Sequence, residues 1–185
     1  MTSPDSLLLR AAGPADALRV ARLHADSWRR HYRGAYSDEF LDGDVQADRL
    51  AVWSERLAVA DGTTETILAE DGGMPVGFIH VVFDEDQRWG ALIDNIHVAG
   101  ARQRGGVGRK LMSRAAEAVT ERSPTAGLYL WVLEQNTPAQ AFYAALGGRE
   151  VDSAPVTAPG GVDGRLNGRP LKLRYVWSDA GVLLG

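Results

Sequence analysis

The 185-residue sequence contains no cysteine, which excludes a disulfide framework, a thiolate metal site and a cysteine nucleophile. It also lacks any apolar run near the roughly 18 to 20 residues of a membrane span, and its opening MTSPDSLLLR has no basic segment leading into a long apolar stretch. A soluble cytoplasmic protein with no membrane partner is the expectation. Positive charge is not in excess: a net charge of −4 and a pI near 5.6 argue against broad polyanion binding, so nucleic acid is not an expected partner. No internal repeat and no linker-like segment breaks the chain. With 45% apolar and 24% charged residues, residues 1–185 read as one globular domain, long enough to bury a core in two or three layers.

What the sequence does have is a stretch, 93–121, around which the rest is organised. Ile96 and Val98 alternate with Asn95 and His97, a strand pattern; arginines and glycines follow; then Val107, Leu111, Ala115 and Ala118 recur at helical spacing to about Glu121. Strand, glycine turn and helix together suit an anion. Amides in the first turn of a helix lack intrahelical acceptors, and the aligned peptide dipoles place roughly half a positive charge at that end. Gly105, Gly106 and Gly108 remove side chains that would keep a phosphate off those amides, and Arg104, Arg109 and Lys110 add charge nearby. Two familiar phosphate loops fail on spacing. GxxxxGK[ST] fails because no Gly-Lys pair is present and no hydroxyl follows the lysine; GxGxxG fails because Gly106-Val107-Gly108 would need glycine at Leu111. Nucleotide binding at the turn is therefore disfavoured. On these residues alone, a glycine turn feeding an ordinary surface helix stands beside the anion site as a reading.

In chain order, residues 7–10 read as the first strand, and Gly13-Pro14 sets a helix start with Pro14 at the first helical position. Val20, Leu23, Ser27 and Trp28 share one side of that helix, which is expected to reach about Arg33. Phe40 and Leu41 are expected on a short turn, before a second helix that carries Leu50, Trp53 and Leu57 inward and turns Asp48, Glu55 and Arg56 to water. The period then changes to two: 66–70 and 76–83 form a hairpin through Asp71-Gly72-Gly73-Met74-Pro75, and a polar loop at 84–90 leads to the next strand. Beyond the central helix, 128–133 is a strand, and Thr137-Pro138 start another helix, with Thr137 as cap, that ends at Gly147-Gly148. Two last strands, about 149–152 and 171–177, flank a Pro/Gly-rich loop at 153–170.

Gln103-Arg104-Gly105-Gly106-Val107-Gly108 matches Q/R-x-x-G-x-G/A, the acyl-CoA pyrophosphate signature of the GNAT superfamily of N-acetyltransferases, and the chain resembles a member of that family over about residues 7–177. A second motif in register supports the resemblance: Asn136, Ala139, Tyr143 and Gly147 spell N-x-x-A-x-x-x-Y-x-x-x-G just after a strand. The resemblance implies an α/β (α+β) fold, a mixed and mostly antiparallel central sheet of about seven strands with helices on both faces. It also implies a V-shaped split between strands four and five for the pantetheine arm. Acetyl-CoA is the implied co-substrate, with no metal, and the implied reaction is acetyl transfer to a primary amine by direct attack in a ternary complex. A module that binds or senses acyl-CoA without chemistry is the other reading of the same resemblance.

By that resemblance, cofactor contacts fall on Ile96, His97 and Val98 of an interrupted fourth strand, on Gln103, Arg104, Gly105, Gly106, Val107, Gly108 and Arg109, and on Asn136 and Tyr143. Tyr143 would protonate the departing CoA thiolate; its other reading is a core aromatic beside Phe142 and Leu146. Asp94 stands where many members carry a strand carboxylate and would draw the amine proton through a water. Its other reading is a surface carboxylate paired with an arginine, and His80 and His97 are alternative bases. Trp28, His31 and Tyr32 would line the amine pocket, although for Trp28 core packing is the stronger single explanation. The family usually has Gly-Phe where this chain has Gly147-Gly148, and the missing aromatic is expected to loosen packing near the cleft. The acceptor, a small molecule or a peptide, stays open. An acidic balance mildly suits a cationic one, and the apolar final strands are compatible with a homodimer.

Overall fold

Alternating side chains make the sheet of this protein, seen here in a computed structural model that describes residues 7–185; residues 1–6, on which part of the N-terminal reading rests, lie outside the described residues. The strands are β1 (Leu7–Ala11), β2 (Thr64–Asp71), β3 (Met74–Asp86), β4 (Gly90–Val98), β5 (Leu128–Leu133), β6 (Arg149–Pro155) and β7 (Leu171–Trp177). They lie in the order β1-β2-β3-β4-β5-β7-β6. Every neighbouring pair is antiparallel except β4 and β5, whose connection through a helix is long enough to permit parallel pairing. The helices are α1 (Ala17–His31), α2 (Asp38–Asp42), α3 (Val45–Ala58), α4 (Val107–Arg122) and α5 (Thr137–Ala145).

Period two assigns each strand residue to a face. Ile79, Val81, Leu130, Val132, Leu173 and Tyr175 turn to one face, where the Val107, Leu111, Ala115 and Ala118 stripe of α4 is buried against them. Leu68 and Phe78 turn to the other face, under Val20 and Ala21 of α1 and Trp53 and Leu57 of α3. The mixed, mostly antiparallel seven-stranded sheet with helices on both faces is thus the architecture that the two motifs implied.

Several local expectations are corrected. Phe40 and Leu41 are buried on a short helix, α2, because the Ser37 hydroxyl accepts from the Phe40 N–H and opens a helical turn. Asp48 does not face water, whereas Arg56 keeps a side chain 35% exposed. Asp48 accepts from Arg49 at 2.6 Å and from Arg165 at 2.5 Å, while Arg56 donates to Asp94 at 2.6 Å. The cause is the loop at 156–170, which folds back on this helix: Leu166 bridges Tyr36, and the Asn167 N–H donates to the Ala35 carbonyl. β3 and β4 also run further into the 84–90 loop than expected, because the Asp86 carboxylate accepts from the N–H groups of Arg88 and Trp89 and closes a tight turn. Asn136, not Thr137, caps α5, its Oδ1 accepting from the Ala139 N–H at 3.3 Å.

Gly148 overturns the expectation of loose packing. A Cβ there would lie 2.6 Å from Cζ2 of Trp177 and 2.9 Å from the Tyr143 carbonyl. The Trp177 indole fills the space that a following aromatic would take, and its Nε1 donates to the Leu146 carbonyl at 3.0 Å. Gly148→Phe should therefore destabilise the fold by about 2 kcal/mol through overpacking. Urea unfolding would check this, and a variant as stable as the parent would show that the indole has room to move.

Candidate active site

The turn between β4 and α4 leaves a row of backbone amides without acceptors among the described residues. Gly106 precedes α4 with φ 80 and ψ −3, and no side chain caps the helix. The backbone N–H groups of Arg104, Gly106, Val107, Gly108 and Arg109 have no acceptor among the described residues. Unpaired amides at the positive end of a 16-residue helix are the donor set that a pyrophosphate would satisfy. A Cβ at Gly106 would meet nothing within 4 Å, so this glycine borders open space and serves its left-handed conformation. Gly108 does a different job: a Cβ there would come within 3.1 Å of Phe142 Cζ, so its smallness lets α5 approach α4. The Gln103 amide meets His31 Nε2 at 3.2 Å and ties the turn to the end of α1. Arg102 is paired with Asp71 across the β2–β3 hairpin.

A gap in the sheet begins beside this turn. Parallel pairing of β4 and β5 covers only Ala91↔Leu128, Leu92↔Tyr129 and Ile93↔Leu130. β5 then follows β7, through Trp131↔Arg174 and Leu133↔Lys172. β4 follows β3 and steps in register from Val81↔Ile93 to His80↔Asn95, which leaves Asp94 as the extra residue of a bulge. Past that bulge Ile96, His97 and Val98 border the gap with no strand on that side. The split between strands four and five is thus present, and the bulge is where it opens.

Tyr143 stands on the α4 face of the gap, 7% exposed, with Phe142, Tyr175 and Trp177 around its ring. Its hydroxyl makes no hydrogen bond to a described residue, and burial holds its pKa above the usual phenol range, with Tyr32 as a second cause. Tyr32 comes from the other face of the sheet, so the two hydroxyls sense each other across the opening. Asn136 sits close to the end of α1, because the adjacent Gln135 donates to the carbonyls of His31 and Arg33 at 3.2 and 2.8 Å.

On the α1 face, Trp28 stacks on Tyr32 with centroids 5.3 Å apart, and Tyr36 meets each ring edge-on at 4.9 Å. The Trp28 indole is buried with Leu133, and the Arg49 guanidinium lies 4.3 Å over it. Burial raises the Tyr32 phenol to about 12. Asp94 uses one oxygen, Oδ2, for both Arg56 and the Asn95 amide, which leaves Oδ1 without a described partner. His97 turns to α1, where its Nδ1 meets Ser27 Oγ at 2.7 Å. His80 meets Thr66 Oγ1 at 2.7 Å and is 3% exposed, set back from the gap. Among the described residues no group of three or more His, Asp or Glu side chains is placed to hold a metal ion.

Sequence reasoning missed Tyr36, Arg49 and Lys172 in this cleft. Trp28, Tyr32 and Tyr36 are spaced by four, a signal that was available. Lys172 and Arg174 alternate with Leu171 and Leu173, which places both on one strand face. Arg49 carried no signal, because its guanidinium is covered by packing over Trp28, which comes from another helix.

Residues 25–147 match the model of the acetyltransferase (GNAT) family. A protein of Mycobacterium tuberculosis named as a probable N-acetyltransferase is 31% identical over 140 residues, which is 76% of this chain and 78% of that relative. Among solved structures, the PaiA N-acetyltransferase of Thermoplasma acidophilum in complex with coenzyme A superposes with a TM-score of 0.67 at 16% identity, over 93% of this chain and 99% of that one. A Salmonella typhimurium protein solved with its cofactor acetyl-CoA superposes with a TM-score of 0.65 at 19% identity, over 94% of each chain.

Proposed function

The chain belongs to the acetyltransferase (GNAT) family, and on that premise we propose that it moves the acetyl group of acetyl-CoA to a primary amine by direct attack within a ternary complex. The observation that carries this reading is the coincidence of unpaired amides at 104–109 with a sheet gap that opens at the Asp94 bulge. When bound, the cofactor supplies an activated acetyl thioester. The amides of Gly106, Val107 and Gly108 would hold its pyrophosphate, and the exposed edge of β4 at Ile96, His97 and Val98 would hold the acyl arm. Asn136 keeps its Nδ2 for the pantetheine arm while its Oδ1 caps α5. Tyr143 holds the proton that the leaving thiol needs.

The acceptor amine enters from the side of Trp28, Tyr32 and Tyr36. Deprotonating a lysine-type amine of pKa about 10.4 at pH 7 costs roughly 4.6 kcal/mol, against about 1 for an α-amine near 7.8. An α-amine is therefore the easier acceptor, and its proton is assigned to Oδ1 of Asp94, which has no hydrogen-bond partner among the described residues. Gly106→Glu tests the cofactor site, since it places a side chain and a negative charge where the φ of 80 leaves open space. Acetyl-CoA binding by calorimetry should weaken at least about tenfold from lost anion attraction and backbone strain. Unchanged affinity would remove the pyrophosphate from this turn.

A further inference from the structure

The wall of the gap opposite α1 carries a lysine that forms no ion pair among the described residues. On β7, Leu173, Tyr175 and Trp177 point into the core beside α4, so Lys172 and Arg174 point to the α1 face. Lys172 lies directly across from Leu133, which is packed with Trp28 and Tyr36. Asp94 raises the Lys172 pKa, though less than burial lowers it. Three carboxylates on this side already have cations. Asp94 is paired with Arg56, Asp152 with Arg174, and Asp48 with both Arg49 and Arg165.

Lys172 has no carboxylate within pairing distance among the described residues. Its Nζ rests 4.7 Å over the Trp131 ring, and burial lowers its pKa below the usual lysine range. A half-buried ammonium that has lost water without gaining an anion is an unfavourable arrangement, and the ring beneath it holds it in place without neutralising it. Asp48, shared between two guanidinium groups, leaves a further surplus of positive charge on the same side.

We infer that the acceptor amine carries a carboxylate of its own, as an α-amino acid does, and that Lys172 on the Trp131 ring receives that carboxylate. This rests on the acetyl-CoA reading above and narrows its acceptor to a class. The chain's net charge of −4 points the other way and is no guide, because a short-range site feels the charges that line it.

Thiol release from acetyl-CoA should be measured with α-amino acids, each beside its carboxamide and its decarboxylated amine. Expressed per unprotonated amine, a fraction that is larger in the carboxamides because a neighbouring carboxylate raises the amine pKa, kcat/KM of the carboxylate members should be at least tenfold above that of their neutral partners. Lys172→Met, which keeps length and contact with Trp131, should bring that ratio close to one by raising the acceptor KM with no change in the KM for acetyl-CoA; Lys172→Arg should restore most of the preference. Calorimetry on the protein saturated with coenzyme A gives a readout that needs no turnover, with leucine binding more tightly than leucinamide. Equal or better use of the neutral amines, or a preference that survives Lys172→Met, overturns the inference and leaves the acetyl-CoA reading standing. Failure of acetyl-CoA itself to bind overturns both.

Discussion

Lowering the pH from 7 to 5 is expected to destabilise the fold by about 5 kcal/mol, through the buried His24 and His80 and the half-buried His97 on the α1 face of the sheet. His24 is 0% exposed; its Nδ1 accepts from the Trp53 indole at 2.9 Å, and its Nε2 has no hydrogen-bond partner among the described residues. His97 lies 4.6 Å from it, ring to ring, and His80 packs edge-on against Trp53. Burial holds all three below the ordinary imidazole value, His80 at about 4, His97 at about 3 and His24 well below 6.5. Arg49 adds to the effect on His24 and His97, and Arg56 to that on His24 and His80.

The sign follows from which state takes up protons. A depressed folded-state pKa means that the unfolded chain protonates first, near 6.5, so stability is complete above about pH 7 and falls as the pH drops through 6.5 toward 4. Each neutral imidazole then contributes a loss on the order of 2 kcal/mol by pH 5, and less for His97, which keeps some contact with solvent. The buried carboxylates Asp16 and Glu70 are paired with Arg10 and Arg19, which hold their pKa values low, so their contribution is lost only at more acid pH. Urea unfolding at pH 7, 6 and 5 gives the slope directly, and His80→Gln should reduce it by close to one proton. A stability that is flat over this range would show that the three rings are not held neutral.

Replacing Tyr143 with Phe should lower kcat about 100-fold, near 3 kcal/mol of barrier, with little change in the KM for acetyl-CoA. The hydroxyl has no structural partner among the described residues, so its removal leaves the packing against Tyr175 and Trp177 intact, and the variant should unfold at the parent temperature. Because burial raises the phenol's pKa, the hydroxyl stays protonated and able to donate throughout pH 6 to 9. The loss in the Phe variant should therefore be the same at each pH in that window. Turnover unchanged by the substitution would assign the ring to packing alone.

Much of this molecule was legible from spacing. The stripe of α4 and the runs of β5 and β7 follow from periods of 3.6 and 2, which depend only on which side of an element touches apolar neighbours. The glycine turn was legible because a left-handed conformation and an unprotected helix end need particular residue types at particular offsets. What escaped had causes far away in sequence. Asp48 reads as a solvent-facing helical residue until Arg165 arrives from the 156–170 loop. Gly148 reads as a missing aromatic until Trp177 is seen to fill the space. His24 lies on the buried side of α1 by spacing, yet its neighbours Trp53, Phe78 and His97 come from three other elements.

The sequence by itself determined most of the order of elements, the amphipathic faces and the glycine turn before α4, because each of these is a matter of local period and backbone freedom. Tertiary structure alone decided where β4 and β5 part, which carboxylates are already matched, and that Lys172 stands unpaired beside the aromatic wall. Charge balance and desolvation are properties of neighbours in space, and in this chain those neighbours are often more than a hundred positions apart.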